Sequence, residues 1–410
     1  GYLNQDGIAI GSGFKRMNLS SNLDSQVKDY FKVGLNFALN NSEQKTTVSD
    51  QSLILTALKQ TPNVAVRNAD GSFDGPDTDQ FVQNNPIGLA NLNQNYNENI
   101  GIRASTYGEI TFTKGLTFKT QYSLNYGFTN DYTFNPSYTF GQINNANRSG
   151  SRTKGFSKFW SWNNVLNYNR TFGKHTINAM LGQEAQESYW ENLYGSVSGY
   201  LTNTSTDLSM GDPQTAIVSN NSNGSSLNSY FGRAFYSFDD KYLLTATMRR
   251  DGSSKFAEDN RWGWFPSAAF AWKVSNENFL KDNKTITNLK LRLGWGAVGN
   301  QNVPNYAYTS TYNSSATANW GTGLLASNTA NKDLKWETTY SSNIGIDLGL
   351  FDNRIELVAD VYYKKTDDLL NQLALPAYVG TSGQGSTSAP WYNIGSLENK
   401  GIEIALNTIN

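Results

Sequence analysis

Alternation of apolar and polar residues, sustained over long segments, constrains this chain more than any other feature. In Leu116–Phe128 the even positions carry Leu116, Phe118, Tyr122, Leu124, Tyr126 and Phe128, while Thr117, Lys119, Gln121, Ser123 and Asn125 fill the odd ones. In 288–298 the odd positions are Leu289, Leu291, Leu293, Trp295 and Ala297, set against Asn288, Lys290, Arg292, Gly294 and Gly296. A helix would scatter such apolar residues around its axis, whereas a strand collects them on one face. The same period returns in 27–40, 102–112, 336–350, 354–364 and 402–407. Helical patterning is confined to Ser52–Gln60 before Pro62 and to a single turn over 276–281.

This periodicity predicts about thirteen strands, near 11–23, 27–40, 99–112, 116–129, 156–171, 174–190, 227–239, 241–252, 261–275, 287–299, 336–350, 354–366 and 394–407. Many are about twice the soluble mean of roughly 5–6 residues. They match the roughly 9–11 residues with which a strand tilted by about 45° crosses a bilayer. Short connections are expected at 24–26, 113–115, 172–173, 240 and 352–353, with 276–286 of moderate length. Long ones are expected at 41–98, 130–155, 191–226, 300–335 and 367–393, with 252–260 shorter. Short and long alternate, as periplasmic turns and extracellular loops do in outer-membrane barrels.

Aromatic placement gives a second constraint. Trp262, Trp264, Phe270 and Trp272 share one parity, and Trp160 and Trp162 repeat the arrangement with Tyr168 and Phe172. With Trp295 and Trp336 near loop-side ends, these tryptophans are the expected membrane-interface girdles. Composition agrees: charged residues are 16% and aromatics 13% of the chain, against about 25% charged in soluble domains. No apolar run reaches the roughly 18 residues of a membrane-spanning helix. A net charge of −1 excludes the broad basic surface used to grip nucleic acid. The absence of Cys excludes disulfides and thiolate metal sites. A soluble sandwich or propeller would also alternate, but strand length, loop asymmetry and paired tryptophans favour a transmembrane antiparallel β-barrel.

Catalytic chemistry has little to stand on. His175, the single histidine, follows Gly173 and Lys174 and reads as a solvated turn residue. Gly294-Trp-Gly296-Ala-Val-Gly299 matches a dinucleotide fingerprint formally, yet its glycines fall inside a strand and no helix follows to receive a pyrophosphate. Asp70, Asp74, Asp77 and Asp79 lack the ligand spacing of an EF-hand loop and read as Asp-Gly turns. Asp239–Asp240 and Asp367–Asp368 read as turn polarity. No metal, cofactor or enzymatic role is expected.

Residues 249–279, "RRDGSSKFAEDNRWGWFPSAAFAWKVSNENF", resemble the SusC/RagA family of TonB-dependent outer-membrane transporters of Bacteroidota. The family pattern appears as Arg249 or Arg250, Asp251–Ser254, Arg261–Gly263, Phe265–Ser267 and Trp272. Further matches lie in order at 1–8, 14–24, 57–73, 289–303, 331–339, 343–370 and 393–407, across nearly the whole chain. The resemblance implies an all-β fold in which the chain, 1–410, is part of one barrel of about 22 strands. It also implies an N-terminal plug, absent from this sequence, which the TonB complex would pull to open a path, and a SusD-like surface lipoprotein acting as a lid. Glycans or peptides would be the cargo. About thirteen strands leave two unpaired edges, so the chain is expected to be a fragment of the barrel wall. Tyr306, Tyr312, Trp320, Trp391 and Tyr392 are loop aromatics that could stack on a sugar or peptide, or equally pack the loops or meet the lid. A passive porin or surface adhesin, and a soluble glycan-binding β protein or hydrolase, are the alternatives.

Overall fold

The computed structural model describes residues 1–46, 50–62, 64–76, 83–92, 94–281, 283–317, 321–373 and 389–409. The first wall strands are β1 (Tyr2–Asp6), β2 (Gly13–Lys28), β3 (Phe31–Thr46), β4 (Asn95–Thr113) and β5 (Leu116–Asn135). A small hairpin, β6 (Tyr138–Phe140) with β7 (Ile143–Asn145), decorates the next loop. The wall continues with β8 (Ser149–Phe172), β9 (His175–Ser198), β10 (Ile217–Phe238), β11 (Tyr242–Ser253), β12 (Trp262–Lys273) and β13 (Ile286–Asn300). A second loop hairpin joins β14 (Tyr312–Thr317) to β15 (Gly321–Ala326). Then come wall strands β16 (Glu337–Leu350) and β17 (Ile355–Asp367), the loop pair β18 (Leu370–Gln372) and β19 (Trp391–Asn393), and wall strand β20 (Ser396–Thr408).

The wall is one antiparallel sheet of 14 strands, each pairing with its neighbours along the chain in the order β1-β2-β3-β4-β5-β8-β9-β10-β11-β12-β13-β16-β17-β20. The additional strand relative to the sequence expectation is β1, whose five residues YLNQD are too few to display a period. The expected turn at 24–26 is displaced to Asp29–Tyr30, beyond a bulge between Gln26 and Lys28. Asp24 and Ser25 continue the strand as ordinary polar and apolar-face positions, so the turn-forming residue types there mislead. The helix expected over Ser52–Gln60 forms as α1 (Asp50–Lys59), with α2 (Pro86–Leu92) packed near it in the same loop.

Following the register from strand to strand gives two unlike faces. One carries Leu35, Ile102, Leu124, Leu166, Leu181, Leu244, Phe270, Leu293, Ile344, Val361 and Ile402, most of them partnered across the ladders or one step from such a pair. Leu181, Ile344 and Ile402 are 65%, 62% and 70% exposed. Such an extended bare apolar surface needs an apolar solvent, as the outer face of a membrane barrel has. The opposite face carries polar and charged side chains.

Short connections, Asp29–Tyr30, 114–115, 173–174, 239–241 and 351–354, all lie at one end of the sheet, with 274–285 longer. At the opposite end, two of the expected loops are largely strand. β5 runs to Asn135, β9 to Ser198, and β10 begins at Ile217, so the connections shrink to 136–148 and 199–216. "SNNSNGSS" (219–226) is paired with 187–194 throughout. Water on both sides removes the pressure for alternation, so these residues build a ladder without showing its period. With 24 residues each, β8 and β9 project about 56 Å along the membrane normal at about 45° tilt, roughly twice an apolar band of about 25 Å.

Candidate functional site

Three surfaces follow from this arrangement. On the apolar face, Trp160, Trp162, Trp262, Trp264, Trp272 and Trp295 all take outward positions in the register. Toward the long-loop end, Tyr122 stacks on Trp160 at 6.1 Å and Tyr230 on Trp262 at 6.1 Å. Toward the short-turn end, Tyr242 stacks on Trp272 at 6.2 Å. His175 joins this lower band rather than standing free in solvent. It opens β9, lies 5.0 Å from the Phe238 ring, and shares a 2.8 Å hydrogen bond between Nδ1 and Tyr236 Oη. The aromatic residues that β10 brings beside it were out of reach of a reading confined to its neighbours in sequence.

Trp336 corrects the expectation of a girdle residue. It is 8% exposed, its rings 5.3 Å from those of both Phe256 and Phe265. Its indole N–H donates to the Arg261 carbonyl at 2.9 Å. It lies in a loop core with Val303, Ala307 and Leu334, against which Leu227, Leu370 and Trp391 pack. Residues 251–256 of the sequence motif build this core. Ser253 receives the Lys255 amide, and Ser254 exchanges hydrogen bonds with Ser226, which seats Phe256 with no exposed surface. Burial lowers the Lys255 ammonium below the usual lysine range. A second loop core, Phe134, Val197 and Tyr200 with Tyr132 and Leu208, ties the tips of β5 and β9 together. Burial raises the Tyr200 phenol.

The polar face gathers several of its charges into ion-pair clusters. Arg292 on β13 donates Nε to Asp347 at 2.9 Å and forks onto Asp360 at 3.0 and 2.9 Å, while Lys290 lies 3.5 Å from Asp347. Gly345 makes room for this fork, since a Cβ there would lie 2.3 Å from Asp360 Oδ1 and 2.7 Å from the Arg292 guanidinium. Arg249 on β11 donates Nε to both Asp251 oxygens at 2.8 and 2.9 Å and Nη2 to the fully buried Ser229 at 2.9 Å, with Glu184 at 3.4 Å. Arg249 and Asp251 stand two apart in a strand and therefore on one face. That spacing was the sequence signal for a cluster the sequence reading passed over. Near the short turns, Lys119 sits 4.3 Å over the Tyr107 ring, whose hydroxyl donates to Asp24. Gly294 and Gly296 of the formal dinucleotide fingerprint sit within β13 on this polar face.

The loop aromatics divide. Trp391 packs against the loop core, and its carbonyl accepts from Asn331 at 2.7 Å. Tyr392 is half-buried in the β18–β19 ladder. Tyr312 is 62% exposed at the start of β14. Tyr306 is 47% exposed with a φ of 63°, a left-handed backbone that side-chain-bearing residues adopt only when their surroundings impose it. Its surroundings do so. Val303 and Ala307 are buried in the loop core, and Asn305 donates to Asn223 of β10 at 2.7 Å, so this loop reaches back across two strands onto polar-face positions. Trp320 lies outside the described residues, as do Asp77 and Asp79. Asp70 forms a local turn with Ser72, and no cluster of potential metal ligands occurs among the described residues.

Comparison with known proteins fits this geometry. The family described as "TonB dependent receptor-like, beta-barrel" matches residues 29–408. TonB-dependent receptor P3 of Formosa agariphila is 35% identical, covering 100% of this chain and 41% of the relative. TonB-dependent receptor SusC of Bacteroides thetaiotaomicron is 33% identical, covering 99% of this chain and 42% of that protein. The chain thus spans about two fifths of the length of these relatives. Among solved structures, that of the RagAB peptide transporter superposes with a TM-score of 0.81 at 22% identity, over 99% of this chain and 46% of that one. That likeness shows the fold.

Proposed function

This chain belongs to the TonB-dependent receptor-like β-barrel family, of the SusC/RagA type, and from that premise we propose that it forms part of the wall and mouth of an energised outer-membrane importer. The cargo would be an oligomeric nutrient, a glycan or a peptide, received beneath a SusD-like lipoprotein lid. The TonB complex would act through a plug held against the polar face. The observation that carries the reading is the division of labour in the sheet. One face is largely bare and apolar, the other gathers charges into ion-pair clusters, and the elaborated loops gather at one end.

On this reading the apolar-face tryptophans sit at the two membrane interfaces. The Arg292–Lys290–Asp347–Asp360 group, which sums to zero, and the Arg249–Asp251–Glu184 group, which keeps one negative charge, give the plug a surface that holds it by shape and hydrogen bonds without a large net field. Tyr306 and Tyr312 present exposed rings next in sequence to Asn305, which bonds Asn223, and Thr311, which bonds Asn328, and aromatic rings near amide groups suit the faces and hydroxyls of a sugar or the backbone of a peptide. The test is uptake by cells whose only copy of the receptor is the full-length protein, supplied with defined oligosaccharides or peptides. Uptake should stop when the proton gradient is collapsed, and Tyr306→Ala should slow it. Uptake that survives loss of the gradient would instead identify a passive pore.

A further inference from the structure

The tripeptide Arg249-Arg250-Asp251 lies inside β11, so alternation splits it. Arg249 and Asp251 meet on the polar face, and Arg250 is left alone on the apolar one. Its guanidinium carbon lies 4.4 Å from the ring centre of Trp262 and 5.0 Å from that of Trp264. Trp262 is itself fixed, while Trp264 is 58% exposed. Trp262 stacks on Tyr230 and lies over Gly252, where a Cβ would come within 2.8 Å of the ring. The Arg250 Nε is shielded from solvent and has no hydrogen-bond partner.

Arg250 makes no ion pair among the described residues. Along the register, the outward positions of β10, β11, β12 and β13 hold no charged residue other than Arg250 among the described residues. Contact with two indole faces favours the cation but leaves its charge unneutralised. A charge on a lipid-facing wall is costly, and where it is retained it marks a partner. Depth narrows the choice of partner. Arg250 pairs with Tyr230, eight residues along the ladder from the Phe238–Tyr242 pair of the lower aromatic band. At about 45° tilt that is about 19 Å of height, near the upper edge of a band about 25 Å tall. A planar guanidinium lying over two indoles can turn its terminal N–H groups to fork onto two oxygens of one anion.

We propose that Arg250, held over Trp262 and Trp264, is a binding site for the phosphate of an outer-leaflet lipid headgroup. Such a site would fix the rotation and depth of this part of the wall, because it is a point attachment on an otherwise unspecific apolar surface. The inference rests on the wall being embedded in lipid, and the test separates the two. The full-length protein is reconstituted in phosphatidylcholine vesicles, and quenching of tryptophan fluorescence by bromine-labelled lipids is measured, first with labelled phosphatidylcholine and then with labelled phosphatidic acid. Quenching by the first reports embedding alone, and its absence would overturn the membrane reading.

A preference for phosphatidic acid that falls about fivefold in Arg250→Gln is the expected result. Trp264→Leu, which removes one of the two rings and leaves the charge, should also lower it in protein that still shows the folded barrel's slow electrophoretic migration. An unchanged preference in both variants overturns the proposal. So does displacement by inorganic phosphate at equal charge, which would make this a free-anion site. Loss of a dimer in Arg250→Gln with no change in lipid preference would point to a second copy of the chain and overturn it as well.

Discussion

Gly345 and the charges around it give the sharpest quantitative test. Arg292, Asp347 and Asp360 are 26%, 21% and 22% exposed as side chains. Breaking a fully buried pair costs about 3–5 kcal/mol, and breaking an exposed one about 0.2–1 kcal/mol. The two charge-assisted hydrogen bonds between Arg292 and Asp360, at about one quarter exposure, place their coupling between these limits, at about 2 kcal/mol. The measurement is a double-variant cycle of Arg292→Met and Asp360→Leu, read by urea unfolding of the full-length protein in phospholipid vesicles. Gly345→Ala adds an independent arm. Its methyl group would displace the fork, so it should cost about 1–2 kcal/mol in the parent and little once Arg292 is Met. The same cycle on Lys335–Asp368, whose side chains are 49% and 41% exposed, should give coupling near zero. Equal coupling in the two pairs, or a Gly345→Ala cost that persists without Arg292, would refute the reasoning that burial on the polar face sets the strength.

Leu293→Arg places a cation on the apolar face and should destabilise the folded protein by about 2–4 kcal/mol in the same unfolding assay, whereas Gln121→Arg on the polar face should cost little. Tyr306→Gly should stabilise its loop by about 1 kcal/mol by relieving the left-handed backbone, while lowering substrate uptake; hydrogen exchange over 301–311 reads the first effect and transport the second. At the short-turn end, hydrogen bonds from Tyr242, Lys241 and Trp272 hold the Glu277 carboxyl below its usual value of 4.5. Its contribution is therefore complete above that value and is lost as pH falls through the lower folded value. Hydrogen exchange across 274–285 should accelerate over that acidic window, and Glu277→Gln should remove the pH dependence.

Most of the wall could be read from the sequence because lipid on one side and polar lumen on the other imprint a two-residue period wherever a strand crosses the membrane. Above the membrane that imprint fades. The ladder through 217–226 and the upper turns of β5 and β9 look like loops in sequence because both faces are wet. Trp336 shows a different limit. An aromatic residue near a strand end has the same sequence signature whether it faces lipid or supports a loop core, and only the positions of Phe256 and Phe265, far off in sequence, decide between them. Tyr306 was legible as an exposed loop aromatic, but its imposed backbone depends on Asn223, 82 residues away in the contact to Asn305. The polar-face ion clusters were half legible. Alternation gives their face, but register alone brings β13, β16 and β17 together at Arg292.

The overlong strands have a mechanical consequence. In their lower half β8, β9 and β10 are gripped on one side by hydrocarbon, and any unpaired peptide group there would be stranded in oil. In the upper half the same strands are held by their ladder and by the Phe134–Val197–Tyr200 cluster, with water ready to take over each bond that breaks. The wall is thus a zipper locked at its base and openable from its tip. A pull on the loops is absorbed by a few rungs above the membrane surface and dies out before it reaches the rungs that lipid holds closed.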